Sequence, residues 1–129
     1  MVPDKFQCFS AKGGDAVDFS GKWKNTKESV LELRQEGEKI SGTFDSGVAD
    51  GGQVLKVPVV GWVNGDRLSF TTTYRSYGTV VAWVGQATGK PDSPVIDAHF
   101  LHESEVADED EKSYLWASTR TGSDQFVKM

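Results

Sequence analysis

One sequence feature restricts more than any other how this chain of 129 residues folds. It is a series of eight short runs of β-branched and aromatic residues, and turn-forming residues separate the runs. No segment shows helical periodicity sustained over several turns. The runs predict strands at residues 19–25, 29–35, 39–46, 54–63, 67–74, 79–87, 94–102 and 112–120. Strands of this length at near-regular spacing are typical of an all-β protein, built either as an antiparallel barrel or as a sandwich.

Turn signals between the runs agree with this pattern. Asn64–Gly65 predicts a β-hairpin because both residues tolerate positive φ, and Glu36–Glu38 gives a weaker signal of the same kind. Lys90–Pro94 predicts another connection, since two prolines cannot sit inside a central strand. Residues 1–18 show no sustained period, so we expect an N-terminal tail or arm before one domain at residues 19–129.

The sixth predicted strand is apolar on both faces. Successive side chains of a strand point to opposite faces, so one face carries Thr79, Val81 and Trp83. The other face carries Val80, Ala82 and Val84. No predicted helix is available to cover that second face. Another subunit is therefore the favoured cover, and the alternative is a set of ordinary exposed valines.

Charge and composition exclude several classes of function. The formal net charge is -5 and the sequence pI is about 5.0. The chain therefore lacks the excess positive charge that binds nucleic acid or an anionic membrane. No run approaches the ~18 apolar residues of a membrane span. The opening residues lack a secretory h-region, so the protein is either cytoplasmic, or secreted or periplasmic after removal of a signal peptide, and the sequence does not decide between the two. Cys8 is the single cysteine, which excludes an intrachain disulfide.

Common enzyme and metal signatures are missing from the sequence. It has no Gly-x-Ser-x-Gly elbow, P-loop, His-Glu-x-x-His or dinucleotide fingerprint. His99 and His102 are three apart in a predicted strand and face opposite sides, so they cannot share one metal ion. The acidic run 103–111 has six carboxylates in nine residues but not the spacing of a calcium loop, and we interpret it as solvated. The sequence thus leaves an enzyme open but gives no support for one, and we predict a binding protein with no cofactor and no catalytic residue.

Four motifs in order carry a family resemblance over residues 19–129. They are Phe19-Ser-Gly-Lys-Trp23-Lys-Asn25, Ile40-Ser-Gly-Thr-Phe44-Asp-Ser46, Val81-Ala-Trp83-Val-Gly-Gln86 and Leu115-Trp-Ala-Ser-Thr-Arg-Thr-Gly-Ser-Asp124-Gln-Phe. Together they resemble the avidin and streptavidin family, and the last motif is the most specific. The resemblance implies an eight-stranded antiparallel up-and-down β-barrel that holds biotin at one end as a bound ligand.

The resemblance also implies roles for individual residues. Asn25 and Ser29 would donate to the ureido oxygen of biotin, and Ser46 and Asp124 would accept from its two N–H groups. Thr79 would meet the valerate carboxylate, beside loop residues Val48, Ala49 and Asp50. The remaining implied ligand-binding residues are Phe44, Phe70, Val81, Trp83, Phe100, His102 and Trp116. Trp116 would reach a neighbouring subunit's pocket, so we expect a homodimer or homotetramer.

Several of these positions depart from the family pattern. Phe44 stands where a Tyr hydroxyl usually donates to the ureido oxygen, and Val81 stands where a Thr usually faces the thioether. Phe70 and Phe100 replace two wall tryptophans. Lys27 and His102 replace leucines, and Asp50 would place a negative charge near the ligand carboxylate.

These departures predict biotin binding that is weaker than in the tightest family members. One alternative is a scaffold of avidin or lipocalin type that binds a protein partner. A second alternative is a carrier of a different small apolar or cyclic ligand, which the smaller phenylalanine walls would admit.

Overall fold

The described part of the chain forms eight antiparallel strands that close into a barrel. The structure is a computed structural model and describes residues 16–48, 54–75, 78–104 and 119–129. The strands are β1 (Gly21–Asn25), β2 (Val30–Glu36), β3 (Lys39–Val48), β4 (Val54–Asn64), β5 (Arg67–Tyr74), β6 (Thr79–Lys90), β7 (Ser93–Ser104) and β8 (Thr119–Lys128). Each strand pairs with its neighbour in sequence, so the eight-stranded barrel implied by the resemblance is confirmed.

The seam between β1 and β8 closes the sheet. It has three residue pairs, Trp23 with Lys128, Lys24 with Val127, and Asn25 with Phe126. This pairing decides between the barrel and the sandwich that the sequence left open, because a barrel has no free edge strand. It also brings residues near the two ends of the domain into contact.

The β4–β5 hairpin forms where the sequence predicts it, with a shift of one residue. Asn64 pairs with Arg67, so the two turn residues are Gly65 and Asp66 and not Asn64 and Gly65. Gly65 has a φ of 63°, which fits a type II′ turn with glycine at its first central position. Asn64 is thus the last residue of β4 and keeps ordinary strand geometry.

The eighth strand differs from its prediction at residues 112–120. It runs from Thr119 to Lys128, and residues 112–118 lie outside the described residues. Gly122 is an inward-facing residue of this strand, paired with Phe100. A Cβ there would lie 2.4 Å from a ring carbon of Phe100, so the absence of a side chain lets that ring pack on the backbone.

Alternation along the strands fills the inside of the barrel with apolar side chains. On β6, Thr79, Val81 and Trp83 are buried while Val80, Ala82 and Val84 are exposed, as predicted. The most deeply buried large side chains are Trp23, Phe19, Phe70, Phe126, Leu31, Ile40, Ile96 and Val59. They fill one end of the barrel and leave the other end open.

The outer surface carries an apolar stripe with side chains from three strands. It is formed by Val60 and Trp62 of β4, Val80 and Val84 of β6, and Leu101 of β7. Val84 is 63% exposed and Trp62 is 60% exposed, which is unusual for clustered large apolar side chains. Within the described ranges, no helix is long and apolar enough to cross a membrane.

Candidate functional site

A cavity of about 360 Å³ opens at one end of the barrel. This volume is within the usual range of small-molecule sites, ~300–1,000 Å³. Its described lining combines an apolar wall with polar groups from β1, the β1–β2 turn, β3 and β8. The lining residues are Asn25, Lys27, Ser29, Phe44, Ser46, Tyr74, Thr79, Val81, Trp83, Phe100, His102 and Asp124.

Asn25 is held in place by the turn that follows β1. Its Oδ1 accepts hydrogen bonds from the backbone N–H of Lys27 at 3.0 Å and of Ser29 at 2.8 Å. Glu28 completes this turn with a φ of 66°, in the left-handed region. Because the turn occupies the amide oxygen, the NH₂ group of Asn25 is the end left to donate into the cavity. Asn25 and Ser29 are both buried.

Asp124 reaches the same region from the other side of the seam. Its Oδ1 accepts from Thr26 Oγ1 at 3.0 Å and from the backbone N–H of Gln125 at 2.8 Å. Both hydrogen bonds that Asp124 accepts from described residues end on Oδ1. Oδ2 therefore keeps its capacity to accept an N–H group of a ligand.

Ser46 and Thr79 line the cavity from β3 and β6. Ser46 lies where the pairing of β3 with β4 shifts register between Asp45 and Val48, an irregularity that can redirect a side chain. Thr79 is buried, and its Oγ1 lies 3.2 Å from Ser104 Oγ. Both hydroxyls can donate or accept.

Aromatic rings form the apolar part of the site. Trp83 is central, with ring centroids 5.0 Å from Phe100, 5.5 Å from Phe126 and 6.0 Å from Phe44. Phe70 stacks on Trp83 at 5.6 Å and 14°, so it supports the indole from behind. Among the described residues, the buried Trp83 Nε1 has no hydrogen-bond partner. The result is an apolar wall of packed aromatic rings in the same cavity as Asn25 and Asp124.

Cationic and titratable side chains lie at the same cavity. Lys27 comes from the β1–β2 turn, and His102 and Tyr74 come from β7 and β5. His102 Nδ1 lies 3.4 Å from Ser104 Oγ. Burial raises the pKa of the Tyr74 phenol above its usual value, which favours the neutral form. His99 lies on the outer surface, so the predicted opposite orientation of the two histidines is confirmed.

The sequence model of the Avidin family matches residues 14–129. The chain belongs to the Avidin family. Among solved structures, this avidin-family barrel is similar to the crystal structure of Xenavidin, with a TM-score of 0.74, 19% identity, and coverage of 89% of this chain and 100% of that chain. It is also similar to the X-ray structure of biotin binding protein from chicken, with a TM-score of 0.71, 21% identity, and coverage of 87% and 96%. None of the curated protein sequences matches.

Most predicted ligand-binding positions of the avidin-family chain surround one cavity. Phe70 is set back behind Trp83, and Val48 ends β3 with a side chain that is not described. Ala49, Asp50 and Trp116 lie outside the described residues. The predicted roles of these residues stay predictions.

Sequence reasoning missed two contributors to the site. Tyr74 lines the cavity, and Thr26 holds Asp124. The alternation of β5 from Phe70 through Thr72 to Tyr74 places Tyr74 on the inner face and was the available signal. No sequence signal marks Thr26, because its partner is 98 residues away. Within the described residues, no group of three or more His, Cys, Asp or Glu side chains could hold a metal ion.

Proposed function

We propose that this avidin-family barrel binds biotin in the open cavity and does not transform it. The observation that carries the proposal is the placement of donors and acceptors across the β1–β8 seam. Asn25 offers an NH₂ group because its oxygen is occupied by the turn, and Asp124 offers a free carboxylate oxygen. Ser29 and Ser46 add hydroxyls to the same wall.

A cyclic urea matches this set of groups. Its carbonyl oxygen accepts hydrogen bonds, for which Asn25 and Ser29 supply donors. Its two N–H groups donate, for which Asp124 and Ser46 supply acceptors. A buried ligand needs each of these partners because an unpaired polar group costs about 1–3 kcal/mol. The wall formed by Trp83 and Phe100 would contact the apolar ring system and chain.

The substituted positions support an affinity below that of the tightest family members. Phe44 and Val81 are both buried and line the cavity, and neither carries a hydroxyl. Each hydrogen bond lost relative to Tyr or Thr is worth about 0.5–1.5 kcal/mol, or about two- to tenfold in Kd. We therefore expect measurable binding, with biotin dissociating fast enough for its off-rate to be measured.

Calorimetric titration with biotin tests the proposal directly. We expect a saturable heat with one ligand per chain, and a melting temperature that rises with ligand concentration. Asp124→Ala should weaken the binding markedly, while the surface variant Asp97→Ala should not, because Asp97 lies outside the described cavity lining. Absence of both heat and thermal shift at millimolar biotin would disprove biotin binding.

We also propose that the barrel assembles into a homo-oligomer through its outer apolar stripe, defined above by Val60, Trp62, Val80, Val84 and Leu101. Side chains of this size are rarely left in contact with water as a group. The stripe crosses β4, β6 and β7, so its shape suits a flat sheet-to-sheet contact between two barrels. An isologous contact of this kind makes a dimer, and a second interface would make a tetramer.

A further inference from the structure

The mouth of the cavity carries positive charge from three separate elements. Lys27 extends from the β1–β2 turn and His102 from the inner face of β7, and both line the cavity. On β8, Arg120 is the residue paired with His102. Side chains of directly paired residues in an antiparallel sheet lie on the same face, with Cβ atoms about 4.5–5.5 Å apart. Arg120 thus belongs to the inner face at the rim.

The alternation of β8 supports this placement of Arg120. Phe126 is fully buried, and Asp124 and Gly122 are less exposed than the residues between them. Arg120 continues that series by two residues and has an exposed side chain, as expected at the rim of the barrel. Neither Lys27 nor Arg120 forms an ion pair with another described residue; the ion pairs present involve Lys24, Arg34 and Arg67.

The single carboxylate among the described lining residues is that of Asp124. Asp124 is four residues from Arg120 along β8, which is about 13–14 Å at the rise of an antiparallel strand. Along β8 the cavity therefore has a carboxylate acceptor at Asp124 and a cation nearer the rim at Arg120, while Lys27 adds a cation from the β1–β2 turn. An elongated ligand with an N–H donor head and an anionic tail matches both kinds of group.

The ring of His102 is oriented so that its Nε2–H can donate to an anionic ligand tail. Ser104 Oγ lies between Thr79 Oγ1 at 3.2 Å and His102 Nδ1 at 3.4 Å. When Nδ1 accepts from Ser104, the ring carries its proton on Nε2 and can donate to an anion. The described inner-face groups around it are Thr79, Val81 and Trp83 on β6, Arg120 and the distant Asp124 on β8, Tyr74 on β5, and Lys27.

We propose that Lys27, His102 and Arg120 form an anion-selecting rim, which makes the site prefer ligands with a free carboxylate tail over ligands whose tail is an uncharged amide. The inference rests on the proposed biotin site and deepens it. Its consequence is that free biotin is the preferred ligand and amide-linked biotin is disfavoured.

The test compares biotin with biotinamide by calorimetry on the full chain. We expect the free acid to bind about tenfold more tightly at low salt, because charge-assisted hydrogen bonds are about twice as strong as neutral ones. The ratio should shrink with added salt. Arg120→Gln should reduce the ratio severalfold, and His102→Leu should reduce it as well, because the ring N–H donor is lost. The matched control is Arg34→Gln, which removes one exposed charge on β2.

The possible outcomes separate the two proposals. Equal affinity for acid and amide, or an unchanged ratio in Arg120→Gln, would overturn the rim and leave biotin binding intact. Failure of both ligands to bind the parent protein would overturn the biotin site and the rim together. Thermal unfolding of each variant verifies that a changed ratio does not come from a damaged barrel.

Discussion

Thr26 and Asp124, 98 residues apart in sequence, are joined by a hydrogen bond of 3.0 Å across the seam of the barrel. The Thr26 hydroxyl donates to Asp124 Oδ1, which also accepts from the backbone N–H of Gln125. The carboxylate is thereby held with its other oxygen available. The turn after β1 thus positions residues on both sides of the seam, Asn25 directly and Asp124 through Thr26.

The first prediction concerns Thr26→Val, which replaces the hydroxyl with a methyl group of similar size. We expect biotin to bind about two- to tenfold more weakly, since one hydrogen bond that positions Asp124 is lost. Calorimetry measures the change. Thr88→Val is the matched control, because Thr88 Oγ1 donates to Asp97 Oδ2 at 2.9 Å on the surface outside this cavity. Equal affinities of the two variants would contradict the positioning role of Thr26.

The second prediction separates the structural and binding parts of Asn25. Asn25→Asp keeps an oxygen that accepts from Lys27 and Ser29 but removes the NH₂ donor. Asn25→Ala removes both. We expect the melting temperature to fall more for Asn25→Ala. Both variants should lose about five- to 150-fold in biotin affinity, because a ligand acceptor is left unpaired. Tight binding by Asn25→Asp would exclude the amide as the donor.

The third prediction tests the aromatic cluster under the cavity. Phe126 is fully buried and its ring meets Phe44, Phe70 and Trp83. Phe126→Ala should lower the free energy of unfolding by about 3–5 kcal/mol in urea titrations, because it leaves a cavity. Val127→Ala, on the opposite face of the same strand, should change it by no more than about 0.5 kcal/mol. Similar losses in both would refute this assignment of faces.

The fourth prediction uses the raised pKa of Tyr74. Burial favours its neutral phenol in the folded state, so the folded protein holds this proton to higher pH than the unfolded chain. The resulting stability is present below about pH 10 and is lost as pH rises through the folded-state pKa. Urea titrations between pH 8 and 11 should show this decline, and Tyr74→Phe should flatten it. An equally steep decline in the variant would assign the effect to other groups.

The fifth prediction concerns assembly through the outer stripe. Val84→Glu places a charge at its most exposed valine and should shift the protein to a smaller species in light scattering. Lys56→Glu, at an exposed position of β4, provides a control that also introduces a carboxylate. A parent protein that is monomeric at micromolar concentration would contradict the proposed oligomer.

Local sequence patterns predicted most of the barrel because its strands alternate cleanly. Thr79, Val81 and Trp83 face inward by simple parity, and the β4–β5 hairpin follows from Gly65. The eighth strand was predicted to end at Arg120, but it continues to Lys128. Its length depends on pairing with β7 and β1, which neighbours in sequence do not reveal.

The candidate site was predicted less completely than the strands. Asn25 and Asp124 were recognised through their motifs, but the support from Thr26 depends on barrel closure. Arg120 was not recognised either, because its place on the inner face depends on the register of β8 against β7. Contacts between distant strands cannot be read from neighbours in sequence.

The three-pair seam between β1 and β8 has a consequence for biosynthesis. These are the first and last of the eight strands to leave the ribosome, so Asn25 and Asp124 cannot meet until the whole sheet has been made. A nascent chain that ends before β8 would have a turn with an oriented Asn25 but no carboxylate opposite it. Retention of ligand by a freshly synthesised chain would therefore report that its last strand has docked.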